Sequence, residues 1–218
     1  MPLIKACIFD LDGVITNTAK YHFLAWKKLA NELNINFTSQ DNEKLKGVSR
    51  MASLEIILKL GGVTLDKAEK LLLADKKNKW YLEYISKITS NEILPGVKKF
   101  LKLLKNHGYK TALGSASKNS MIILNKLDLV DYFDAIIDGT KVTKAKPDPE
   151  IFLKGAQELG VKSKECVVFE DAEAGIKAAK NANMFAVGVG SKEILKDADL
   201  VIGGFNDISL DIFNSLNY

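Results

Sequence analysis

The chain has 218 residues and a mass of 24.0 kDa, enough for one large domain or for a core carrying a smaller insertion. Its 47% apolar share, 27% charged share and mean hydropathy of −0.01 exclude a disordered or collagen-like chain, and no apolar run nears the roughly 20 residues of a membrane span. The net charge of +4 is too small to name a partner.

Leu3 to Phe9 reads as a short buried strand that runs straight into Asp10 and Asp12, a layout foreign to a signal peptide. Cys7 and Cys166 each sit in an apolar, strand-like run, so they are expected as reduced, buried thiols of a cytoplasmic protein. With only His22 and His107 beside them, they offer neither a disulfide scaffold nor a zinc site. From Thr18, the residues Ala19, Phe23, Trp26, Ala30 and Leu33 recur at helical spacing. Trp26, Phe23 and Leu29 are expected to pack. Helical patterns continue through Met51 to Leu60 and Asp66 to Ser86, broken at Gly47 and at Gly61-Gly62. No strand is expected between Thr18 and Glu92.

This helical block carries the whole charge excess, with 13 basic against 9 acidic residues from Asn17 to Glu92 and 18 of each elsewhere. Of the 31 basic residues, Arg50 is the lone arginine, a planar fork suited to phosphate or carboxylate.

After Pro95-Gly96 helix and strand alternate. A helix from Val97 to Asn106 is capped near Gly108, and Lys110 to Leu113 follows as a strand. A helix over Ser120 to Lys126 leads to a strand over Ala135 to Ile137. Pro149 opens a helix that Gly160 closes. Strand Val167 to Phe169, helix Ala172 to Ala182, strand Phe185 to Val189 and edge strand Leu200 to Ile202 complete the series. The pattern predicts a doubly wound, Rossmann-like α/β core with a helical insertion after its first strand.

Ligands of such sheets bind beyond the carboxyl ends of the strands. Those ends carry Asp10 and Asp12; Ser115, Ser117, Lys118 and Asn119; Lys146 before Pro147; and Glu170 with Asp171. Each residue alone has a structural explanation in turn or capping chemistry. An EF-hand is excluded, because Val14 and Ile15 follow Asp-x-Asp-Gly and no acid occupies the distal position. Together, the four acids are expected to point into one crevice and to need a cation, and oxygen donors without Cys or His favour Mg²⁺. An aspartate beside that ion can attack phosphorus, the second can act as general acid and base, and Lys146 and Ser115 can hold the phosphoryl oxygens.

Phe9-Asp10-Leu11-Asp12-Gly13-Val14, Ser115-Ala116-Ser117, Lys146-Pro147 and Glu170-Asp171 resemble, in order, the four motifs of the haloacid-dehalogenase-like superfamily, and the second aspartate points to its phosphotransferases. Thr18 to Trp26 and Leu45 to Arg50 add a resemblance to its hexose-phosphate mutases. The resemblance implies a core of residues 1–16 and 93–218 and a helical cap of residues 17–92. It implies Asp10 as nucleophile, Asp12 as general acid/base, and one Mg²⁺ per chain held by the Asp10 carboxylate, the Asp12 backbone carbonyl, Glu170 and Asp171. Ser115 and Lys146 would bind the transferring phosphoryl. Arg50, Ser117, Lys118 and Asn119 would bind the second phosphate, and Lys46, Gly47, Val48 and Ser53 would line the sugar site. His22 and Lys77, the latter with Lys76 and Lys79 as neighbouring alternatives, would help to place Asp12.

The implied reaction is an isomerisation of β-D-glucose 1-phosphate and glucose 6-phosphate through phosphorylated Asp10 and a 1,6-bisphosphate. Glucose 1,6-bisphosphate or another phosphoryl donor would prime it. A monomer acting on a phosphorylated hexose is expected, with no nucleic acid or membrane partner. The alternatives are a Mg²⁺-dependent sugar-phosphate phosphatase of the same fold and a non-catalytic anion-binding module.

Overall fold

In a computed structural model describing residues 4–216, strand β1 (Ala6–Phe9) buries all four of its side chains. Leu3, where the expected strand began, lies outside the described residues. Cys7 and Phe9 enter one core layer while Ala6 and Ile8 enter another, the period-two alternation of a strand covered on both faces.

The chain then leaves the sheet for four helices. Helix α1 (Ala19–Glu32) follows the predicted apolar stripe and buries Ala25, Trp26, Leu29 and Ala30. The short α2 (Ser39–Glu43) was not foreseen, because its sequence SQDNE has no apolar periodicity; Thr38 and Asp41 form its capping box. Helix α3 (Arg50–Leu60) starts at Ser49, whose hydroxyl accepts from the Ala52 N–H. Helix α4 (Lys67–Ile85) starts at an Asp66/Glu69 capping box. Trp26, Leu29, Phe37, Leu54, Ile57 and Leu58 give these helices an apolar cluster of their own.

Entry and exit of the insertion run side by side. Asn17 N–H donates to the Glu92 carbonyl at 2.7 Å, Leu94 N–H donates to the Ile15 carbonyl at 3.0 Å, and Thr16 pairs antiparallel with Ile93.

The rest of the chain alternates as predicted: α5 (Val97–Asn106), β2 (Lys110–Gly114), α6 (Ser120–Lys126), β3 (Ala135–Ile137), α7 (Glu150–Leu159), β4 (Cys166–Glu170), α8 (Glu173–Asn181), β5 (Phe185–Val189) and β6 (Leu200–Ile202). The six strands pair in parallel throughout the sheet, in the order β3-β2-β1-β4-β5-β6. Phe100 of α5 and Ile123 of α6 pack on one face of the sheet, with Phe9 stacked on Phe169 at 4.8 Å. Phe152 of α7 and Ile176 of α8 pack on the other face. Cys7 and Cys166 are free and buried, in different layers, as expected of packed thiols. Strand order reverses at β1, which is flanked by β2 and β4, so the residue after Phe9 stands at the switch point of the sheet.

Candidate active site

Asp10 occupies that switch point. Its backbone N–H still donates to Phe169 O at 3.0 Å, which extends the ladder by one residue and fixes the carboxylate at the sheet edge. The Lys146 ammonium, with a side chain 0% exposed, reaches Asp10 Oδ1 at 2.6 Å, Glu170 Oε1 at 2.5 Å and the Gly114 carbonyl at 3.1 Å. One lysine thus joins the ends of β1, β2 and β4. Ser115, the first residue beyond β2, is buried, and its Oγ accepts from the Ser117 N–H at 3.2 Å.

Above these strand ends lies a cavity of about 430 Å³, within the roughly 300–1,000 Å³ of small-molecule sites. It is lined from the core by Asp10, Asp12, Ser115, Ser117, Lys118, Asn119, Lys146 and Asp171, and from the insertion by His22, Lys46, Gly47, Val48, Arg50, Ser53 and Lys77. Of the residues assigned a site role in the sequence, with Lys77 rather than Lys76 or Lys79, all line it except Glu170.

That residue corrects the expectation of four acids aimed into the crevice. Glu170 is the last residue of β4 and is fully buried behind the cavity. Lys146 holds Oε1, and the Ala172 N–H donates to Oε2 at 2.9 Å. Gly175 makes room for it, since a Cβ there would stand 1.9 Å from the carboxylate. Gly13 does the same for Asp171: it has φ +89°, and a Cβ would lie 2.3 Å from Asp171 Oδ2.

The insertion meets Asp12 through a relay. Lys77 Nζ lies 2.7 Å from His22 Nδ1, and His22 Nε2 lies 3.8 Å from Asp12 Oδ2. When the ammonium donates to Nδ1, the imidazole proton sits on Nε2, on the Asp12 side. The His22 ring stacks on Tyr81 at 3.9 Å, and Lys77 lies over the rings of Trp26 (4.6 Å) and Tyr81 (4.8 Å). Trp26 is a packing residue, as expected, and lines the cavity as well. Among the neighbouring lysines, Lys77 is the buried one; Lys76 is exposed and pairs with Glu32, and Lys79 is exposed.

On its other side, Asp12 Oδ1 accepts from the Thr18 hydroxyl at 2.6 Å, and Thr16 lies 2.5 Å behind Thr18. This use of Thr18 explains why it caps α1 without a side-chain hydrogen bond to that helix. Thr16, Tyr81 and Asn78, which accepts from Asn119 Nδ2 at 2.9 Å, were not singled out in the sequence.

The electrostatics follow from crowding. Desolvation, then the Asp10 carboxylate, pushes Asp12 up to about 6, the range in which a carboxyl both gives and takes a proton near neutrality. Desolvation, reinforced by Arg50, brings Lys77 down to about 7. His22 is held well below its usual value by desolvation, Lys77 and Arg50, and is neutral. Asp171 is raised well above the ordinary carboxylate range by burial, then by Glu170 and Asp10. Its cationic neighbour is Lys46, at 3.4 Å from Oδ2, beyond the usual reach of a good hydrogen bond.

Among the described residues no three His, Cys, Asp or Glu side chains converge as a ready-made metal cage. Mg²⁺ does not need one, since it binds through one or two carboxylates, waters and substrate phosphate. Crowded, under-compensated carboxylates on a cavity fit that mode of binding. Millimolar Mg²⁺ is accordingly expected to raise the thermal unfolding midpoint, by the equivalent of about 2.7 kcal/mol at a hundred times the dissociation constant. Asp171→Asn should remove most of that gain. No shift in the unmodified protein would dismiss a cation at this place.

A family model described as haloacid dehalogenase-like hydrolase matches residues 4–183. The chain belongs to the haloacid dehalogenase-like hydrolases. β-Phosphoglucomutase of Bacillus subtilis is 49% identical over 213 residues, covering 97% of this chain and 94% of that one. The 2.27 Å crystal structure of β-phosphoglucomutase from Clostridium difficile superposes with a TM-score of 0.93 at 47% identity, covering 97% and 96% of the two chains. A phosphorylated carbohydrates phosphatase of Thermotoga maritima is 31% identical over 83% of this chain and 82% of its own.

The haloacid dehalogenase-like assignment agrees with the sheet order, with the acids at the end of β1 and with the helical insertion after it. Membership carries a general dependence on Mg²⁺. No helix among the described residues is long and apolar enough to cross a membrane.

Proposed function

We propose that the protein is a β-phosphoglucomutase, an isomerase that interconverts β-D-glucose 1-phosphate and glucose 6-phosphate through phosphorylated Asp10 and β-glucose 1,6-bisphosphate. The observation that carries this reading is one cavity lined by two sets of anion-binding groups. Lys146 and Ser115 stand with Asp10, and Arg50, Ser117, Lys118 and Asn119 form the second set. A mutase holds a bisphosphate by both ends, whereas a simple hydrolase holds one phosphate.

Lys146 fixes Asp10 through Oδ1, so the other carboxylate oxygen remains for attack on phosphorus. Phospho-Asp10 then passes its phosphoryl to a sugar hydroxyl as Asp12 takes the hydroxyl proton. After the bisphosphate turns round, Asp10 receives the other phosphoryl, and Asp12 returns the proton to the departing oxygen. Mg²⁺, when bound, neutralises charge on Asp10 and the transferring phosphoryl. Asp10, the Asp12 carbonyl, Glu170 and Asp171 would hold it; each Glu170 oxygen accepts one hydrogen bond, from Lys146 or from the Ala172 N–H, and keeps a second lone pair for a cation.

In this reading residues 17–92 act as a cap that closes over residues 1–16 and 93–218 and excludes water from the phosphoenzyme. Lys46, Gly47, Val48 and Ser53 line the sugar, and Lys77 and His22 place Asp12. Priming comes from glucose 1,6-bisphosphate or another phosphoryl donor. The enzyme works as a cytoplasmic monomer on a phosphorylated hexose, without a nucleic acid partner.

A coupled assay tests it by following glucose 6-phosphate from each anomer of glucose 1-phosphate, with and without bisphosphate, while free phosphate is monitored. Formation from the β anomer, stimulated by bisphosphate, is expected. Phosphate release without bisphosphate dependence would make the protein a phosphatase instead.

In the same assay Arg50→Lys should lower kcat/KM by about 10- to 100-fold, because a point charge replaces the planar fork on the second phosphate. Unchanged kinetics would remove Arg50 from the second anion site.

A further inference from the structure

Helix α4 touches both halves of the proposed reaction with neighbouring residues. Lys77 contacts His22, which faces Asp12. Asn78 contacts Asn119, in the loop that follows β2. One turn later, Tyr81 stacks under His22. Its buried hydroxyl has no hydrogen bond among the described residues, although Ser117 lies close enough to influence it. Asn78 does not line the cavity, whereas Asn119 is buried and does.

An asparagine amide can turn either its oxygen or its NH₂ towards a ligand, and only the NH₂ attracts an anion. At Asn119 the NH₂ is turned towards Asn78, whose Oδ1 accepts from Asn119 Nδ2 at 2.9 Å. The bond commits one N–H and leaves the second N–H of the same nitrogen as a donor. The loop is held in turn by its own bonds: Asn119 N–H donates to Ser117 Oγ at 3.2 Å, and Ser120 Oγ donates to the Ser117 carbonyl at 2.8 Å.

We propose that Asn78 is a positioning residue for the non-transferring phosphate: it holds Asn119 in its donor orientation and ties α4, with Lys77 and His22, to the phosphate-binding loop. This inference rests on the mutase reading above and adds to it a residue that acts without touching substrate.

The test compares wild type, Asn78→Ala, Asn119→Ala and the double variant in the coupled assay, with thermal unfolding measured on each. KM does not depend on how much of a preparation is folded, so it reports on the site even where a variant is less stable. Asn78→Ala is expected to raise KM for β-glucose 1-phosphate about five- to tenfold, the worth of one hydrogen bond, and to change kcat less than about twofold. Added to Asn119→Ala, it should change KM no further. An unchanged KM, or an effect that adds to that of Asn119→Ala, overturns the proposal. If wild type releases only phosphate, the mutase reading fails by itself. KM for phosphate release in the same four proteins then decides the role of Asn78.

Discussion

Asp10→Asn is expected to abolish turnover, with a loss of at least about 10⁴-fold, while leaving the fold intact. The amide fills the same volume and its oxygen can still accept from Lys146, which keeps its second partner in Glu170. What disappears is the carboxylate able to form an acyl phosphate. Exposure to acetyl phosphate followed by intact-protein mass spectrometry separates this from a binding defect. Wild type should carry a labile phosphoryl adduct and the variant none. Asp12→Asn should still form the adduct, yet lose about 10²–10⁴-fold in turnover, because proton transfer rather than nucleophilic attack is impaired. Normal interconversion by the Asp10 variant would displace the nucleophile from this residue.

The largest effect on stability is expected at Lys146. Lys146→Met keeps all of the chain's reach but the terminal nitrogen and removes its charge, leaving Asp10 and Glu170 facing each other in a site almost closed to water. Breaking a buried ion pair in this way costs about 3–5 kcal/mol. Urea unfolding in chelator reads the loss directly. Adding Glu170→Gln should recover part of it, since the second substitution removes one of the stranded charges. A Lys146→Met protein within about 1 kcal/mol of wild type would mean that the ammonium does not hold the three strand ends together.

Much of the fold was legible because its signals are local. Apolar runs bounded by Asp, Asn and Gly located β3 and β5, and Pro149 and Gly160 bracketed α7. The chemistry at the strand ends was readable for a related reason: a parallel sheet brings residues remote in sequence to one edge, so position after a strand stands in for position in space. Helix α2 escaped because five polar residues carry no periodicity. Asn78 escaped because its partner is 41 residues away and nothing near it marks the contact. Lys77 could have been separated from Lys76 and Lys79 by phase, since it shares an inward stripe with Ala74, Tyr81 and Ile85. Glu170 shows the opposite limit. Its motif was evident, but that its carboxylate is held by Lys146 and the Ala172 N–H, in room that Gly175 leaves, emerges only from the packed chain.

The paired backbone at Thr16 and Ile93 brings the two ends of a long excursion together at the rim of the sheet. For a detour whose ends already meet, the entropic penalty grows only with the logarithm of its length, about 0.6 kcal/mol for each doubling. The catalytic floor is therefore nearly indifferent to how much polypeptide is spliced in at that point. Such a scaffold can trade one roof for another, and with it one clientele of phosphate esters for another, while the acids and the lysine beneath keep their places.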